Sequence, residues 1–115
     1  MWLLDANMDV HLVDLLSEFG ISCESAIQRG WGDLSNGQHV AAAADAGFNC
    51  ILAHERLFAE SASGSMRSAP DLTIIVIHFP QRPWREYVRQ FRLAWTQHPI
   101  MPFPGSVIHW LQDQA

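Results

Sequence analysis

Three short apolar runs each end on a side chain that could bind a cation or move a proton. Trp2-Leu3-Leu4 ends on Asp5, Cys50-Ile51-Leu52-Ala53 on His54 and Glu55, and the run from Leu72 to Ile77 on His78. Strands buried on both faces read as such runs, and in an open parallel sheet their carboxyl ends form one rim where ligands bind. Residues remote in sequence can therefore converge there. Two carboxylates with neutral imidazoles beside them make a donor set for a divalent ion, and oxygen ligands favour Mg²⁺ or Mn²⁺. The structural alternative stands beside it. Asp and Asn after a strand commonly cap helices or turns, and a His at a strand end can be held by hydrogen bonds alone.

The elements that must position these groups alternate along the chain. Residues 2–5 read as a first strand, and residues 8–19 as a helix with Leu12, Leu15, Leu16 and Phe19 on one face. Asn7 is its candidate N-cap and Gly20 its stop. "ISCESAI" (21–27) reads as a second strand, "RGWGDLSNG" (29–37) as a loop, and "NGQHVAAAADAG" (36–47) as a helix closed by Gly47. "CILAH" (50–54) is a third strand, and Glu55 to Glu60 begins a short helix. "SASGSMRSAPD" (61–71) has the small residues of a mobile linker, and "LTIIVIHF" (72–79) is the strongest strand. "WREYVRQFRLAWTQH" (84–98) is a long helix burying Trp84, Val88, Phe91 and Trp95; "PIMPFPG" (99–105) is extended and "SVIHWL" (106–111) a last strand. This alternation predicts an α/β domain with a mostly parallel five-stranded sheet covered on both faces.

Composition narrows the options. The 115 residues suit one domain, residues 1–115, with 49% hydrophobic and 17% charged side chains typical of a globular chain. A net charge of −5 excludes a generally basic surface, so any nucleic-acid contact needs a local patch. Arg85, Arg89 and Arg92 recur at helical spacing with Arg82 just before them, a stripe that is either a solvated face or a track for phosphates. Gly30, Gly32 and Gly37 lack the spacing of a dinucleotide or phosphate loop, and no lysine completes a Walker motif. Trp31, in the glycine-rich loop, suits packing or exposed stacking. Cys23 and Cys50 fall in strands without CxxC pairing and read as reduced buried thiols. Without a basic segment followed by a long apolar one, the expectation is a cytoplasmic protein with no membrane association. Five Trp, six Phe and four Met leave apolar surface beyond a core, consistent with a homodimer.

"LLDANM", then "QRGWGDLSNGQHVAAAADAGFNCILAHERLF", then "LTIIVI" resembles the compact PIN-like domains of bacteria, short relatives of VapC-type toxin ribonucleases. The resemblance covers residues 2–79 and rests most on the "GW…L.NG" segment followed by "A…GF". It implies a three-layer α/β/α fold, an acidic cluster around Mg²⁺ or Mn²⁺, hydrolysis of RNA by a metal-activated water, and a small antitoxin-like partner. Carried over by position, the first carboxylate is Asp5, the acid after "NG" is replaced by Gln38, and the acid after the third strand is Glu55. Ala6 stands where an acid usual in the family would be. The implied catalytic set is Asp5, Glu55 and Gln38, the metal ligands Asp5 and Glu55, and the RNA contacts Arg82, Arg85, Arg89 and Arg92. Asn7, Asp9, Asn36 and His54 are further candidates, and Asp9 or Asp33 could compensate for lost charge.

The departures bear on chemistry. Two carboxylates hold a hard cation less well than four, and Gln38 supplies an oxygen but no charge. The alternative to a metal-dependent ribonuclease is therefore a catalytically inactive PIN-like module that binds RNA or a protein partner. A receiver-like phosphoacceptor would need a second acid and a lysine at the rim, and the chain has no lysine.

Overall fold

Strands in a parallel sheet covered on both faces need apolar side chains in both directions, and the sequence supplies five segments that associate this way. In the computed structural model, which describes residues 1–54, 65–78, 80 and 82–111, they are β1 (Trp2–Leu4), β2 (Cys23–Ser25), β3 (Cys50–Ala53), β4 (Thr73–Ile77) and β5 (Val107–Trp110). All neighbours are parallel, in the order β2-β1-β3-β4-β5. Trp2 lies between Cys23 and Cys50, and Ile75 between Leu52 and Ile108.

The two-residue alternation of each strand divides the core. Leu3, Ile51, Ala53, Ile74 and Val76 pack with Val40 and Ala43 of α2 (Asn36–Asp45) and with Phe48, Met66 and Ala69. Trp2, Leu4, Leu52, Ile75 and Ile77 pack with Leu12, Leu15 and Leu16 of α1 (Leu12–Glu18) and with Tyr87 and Phe91 of α3 (Trp84–Gln97). Helices thus cover both faces of an all-parallel sheet. α2 starts with a capping box: Gln38 N–H donates to Ser35 Oγ, and Ser35 N–H donates to Gln38 Oε1. It stops at Gly47, whose φ of +88° needs a residue without Cβ.

Several expectations need correction. α1 begins at Leu12, not residue 8, and Asn7 does not cap it. Met8 N–H donates to Asp5 O and Leu12 N–H to Asp9 O, so two successive turns occupy the stretch that the apolar spacing assigned to helix. The Asp9 carboxylate holds the second turn by accepting from His11 N–H at 2.9 Å. Trp84 is exposed at 43%, and Tyr87 takes the buried position in the first turns of α3. The expected linker is packed from residue 65 on: Ser65–Ser68 forms a 3₁₀ turn, with Met66 and Ala69 buried against the sheet. The expected helix from Glu55 to Glu60 lies outside the described residues. Among the described residues, no helix is long and apolar enough to cross a membrane.

Candidate functional site

From β1 the chain crosses by α1 to β2 on one side, and then by α2 to β3 on the other. The two helices lie on opposite faces, so a crevice opens at the carboxyl ends of β1 and β3, the position where open α/β sheets bind ligands. Asp5 leaves β1 there, and His54 leaves β3.

Asp5 follows Leu3 in the alternation and turns toward α2. Its residue is 7% exposed, its N–H donates to Leu52 O at 2.9 Å, and its Oδ1 lies 3.3 Å from Nδ1 of His39, itself 3% exposed. Trp31 meets the His39 ring edge-on with centroids 6.3 Å apart, and Arg29 covers the Trp31 ring at 4.4 Å. The first-strand carboxylate is thus enclosed, with an imidazole for its partner.

On the other side of the crevice, Asn7, Met8, Asp9, His54, Arg82 and Tyr87 line a small open cleft of about 130 Å³. Tyr87 O–H donates to His54 Nε2 at 2.6 Å. Burial lowers the His54 pKa below its ordinary value, against opposing effects from a hydrogen bond to the Ile77 backbone and the charge of Asp5. Burial also raises the Tyr87 phenol. Both directions favour a neutral imidazole accepting from a neutral phenol. Asp9 Oδ1 accepts from His11 Nδ1–H at 2.6 Å, and the His11 ring stacks on Trp84 at 3.9 Å, which accounts for the outward position of Trp84.

The arginine stripe separates into two kinds. Arg89 is bidentate to Glu86 at 2.7 and 3.2 Å, and its hydrogen bonds hold the Glu86 carboxyl below its usual range. Arg92 reaches Glu18 of α1 at 2.6 Å. Arg82 lines the cleft, where its charge also helps hold the Glu86 carboxyl down, and Arg85 lies 5.1 Å from the Trp84 ring; neither forms a direct ion pair with a carboxylate among the described residues.

Of the residues singled out from sequence, the fold brings Asn7, Asp9, His54 and Arg82 to one cleft and places Asp5 just outside it, on the α2 side. Gln38 is exposed, with its side-chain oxygen engaged in the capping box. Asn36 opens α2, and Glu55 lies outside the described residues. Among the described residues, no group of three or more His, Cys, Asp or Glu side chains could hold a metal ion. The described donor set at the β1 rim, one enclosed carboxylate paired with a histidine, does not fit Mg²⁺ or Mn²⁺. Cys23 and Cys50 are free thiols, and burial pushes Cys23 up to about 12, so both remain protonated and unreactive. Sequence reasoning missed His39 and Tyr87. Their only signals were a histidine in the first turn of α2 and a phenol one turn past Trp84.

No family model, no curated protein and no solved structure matches this chain.

Proposed function

We propose that the chain is a PIN-like module of toxin–antitoxin type that binds single-stranded RNA at the switch-point cleft and does not cut it with a carboxylate-held metal ion. The observation that carries this reading is the enclosure of Asp5 against His39 at 3.3 Å, which withdraws the first carboxylate from the open rim. A hard divalent ion needs several accessible oxygen donors, and a carboxylate committed to an imidazole is a poor first ligand. Support for RNA comes from the other side of the crevice. Arg82 and Arg85 supply cationic groups that form no direct ion pair with a carboxylate among the described residues, while Asn7 and the polar edge of the cleft offer hydrogen-bonding groups. Phosphates would be held by the arginines, and the exposed Trp84–His11 stack beside them offers an aromatic edge to the strand.

The test pairs binding with cleavage. Fluorescence anisotropy with a labelled single-stranded oligoribonucleotide is expected to show salt-dependent binding, weakened about tenfold in Arg82→Gln/Arg85→Gln. The same RNA incubated with millimolar Mn²⁺ is expected to stay intact. Absence of binding at low salt overturns the reading. Mn²⁺-dependent cleavage that disappears in Asp5→Asn replaces it with the metal-dependent ribonuclease.

A further inference from the structure

Farther along the same rim, β4 and β5 bring two imidazoles together. Ile77 pairs with Trp110 and Val76 with His109, and His78 directly follows β4. His78 Nε2 lies 2.8 Å from His109 Nδ1, with ring centroids 5.0 Å apart and planes inclined by 40°. His109 is exposed and His78 half-buried, so solvent reaches the pair. With both rings neutral, one donates its N–H and the other accepts.

We propose that His78 Nε2 and His109 Nδ1 form a two-imidazole site for a divalent late first-row metal ion such as Zn²⁺. The proposal is independent of the RNA reading. The donors that the described residues bring here are nitrogens, which favour zinc, copper or nickel over magnesium. Zinc–imidazole bonds of about 2.0 Å at a tetrahedral angle separate the two nitrogens by roughly 3.3 Å and the ring centroids by roughly 5.2 Å. The observed centroid spacing, which the hydrogen bond between the two rings maintains, is already close to that value. The nitrogens need to open by only about 0.5 Å, which in-place rotation of the rings provides.

The proton between the rings has a defined destination. The donor ring keeps one proton but carries it on its other nitrogen, so both facing nitrogens present lone pairs and no proton is released while both rings are neutral.

Titration of the full chain with ZnCl₂ at pH 7.5, followed by calorimetry, is expected to show one equivalent bound. His109→Asn, an exposed change compatible with β5, is expected to weaken that binding at least tenfold. His11→Asn, at the other exposed ring with a close oxygen partner, is expected to leave it unchanged. Co²⁺ supplies a second readout, since tetrahedral coordination gives intense visible bands that a purely structural histidine pair does not produce. No zinc uptake at millimolar ZnCl₂ overturns the assignment. So does a loss smaller than tenfold in His109→Asn, or an equal loss in His11→Asn.

Discussion

The two sides of the β1/β3 crevice are built from the same rim and have opposite characters. On the α2 side, Asp5 and His39 form an enclosed polar pair beneath Trp31 and Arg29. On the α1/α3 side, His54, Tyr87, Asn7, Asp9 and Arg82 surround open space. The difference follows from strand alternation. A residue that continues the pleat of Leu3 points at α2 and is covered, whereas the turns through residues 5–12 carry Asn7 and Asp9 outward over the other face. A carboxylate at a strand end is therefore not by itself a catalytic group; the face it inherits decides whether ligands reach it.

The sharpest way to break this comparison is to remove the enclosed carboxylate. Asp5→Ala strands His39 in the α2 layer, and losing one partner of a buried polar pair costs about 3 kcal/mol. For a chain of this size that is a fall of roughly 10–15 °C in Tm, measurable by circular dichroism. Asn7→Ala, exposed on the cleft side, is expected to stay within about 0.5 kcal/mol. Equal effects at the two positions would contradict the distinction between an enclosed side and an open one.

Next in size is the hydrogen bond beneath the cleft. Tyr87→Phe leaves His54 Nε2 without its donor and is expected to cost about 1–2 kcal/mol in urea unfolding. Acid acts on the same group. Because burial holds the folded-state pKa of His54 below the ordinary 6.5, the unfolded chain binds the proton first as pH falls. The stabilising contribution is complete above about pH 6.5 and is lost as pH drops from there through the lowered folded value. His54→Gln is expected to flatten this part of the stability profile, and an unchanged slope would show that the imidazole is not shielded.

How much of this was legible depends on the range of the interactions involved. Strand positions could be read because burial on both faces writes itself into consecutive residues such as Ile74-Ile75-Val76-Ile77, and the all-parallel sheet follows from the alternation with helices. The rim positions of Asp5, His54 and His78 were legible for the same reason. The partner of Asp5 was not, since His39 meets it only after α2 folds onto the sheet, and no local pattern encodes that pairing. In α3 the spacing favoured Trp84, but the His11 ring supplies it with a stacking partner at the surface and leaves Tyr87 to enter the core. The stretch at 61–71 misled because small residues signal a linker, whereas burial of Met66 and Ala69 makes its second half part of the α2 layer.

The smallest expected effect concerns the arginine stripe and sharpens the comparison within one helix. Arg85 and Arg89 are both exposed on α3, one turn apart, but Arg89 is bidentate to Glu86 whereas Arg85 lies near an aromatic ring. A guanidinium already neutralised by a carboxylate must give up that partner before it can hold a phosphate, so its net contribution to RNA affinity is small. Arg85→Gln is expected to reduce affinity severalfold and to lower the salt slope by about 0.7, because one fewer phosphate is neutralised. Arg89→Gln is expected to leave both within error, and because solvent screens an exposed pair it should barely change stability. If Arg89 proves as important as Arg85, the Glu86 pair opens on binding and the bound strand runs along α3, past the cleft. The Arg92–Glu18 bridge at 2.6 Å is then the next interaction to remove, because it holds the following guanidinium on that path.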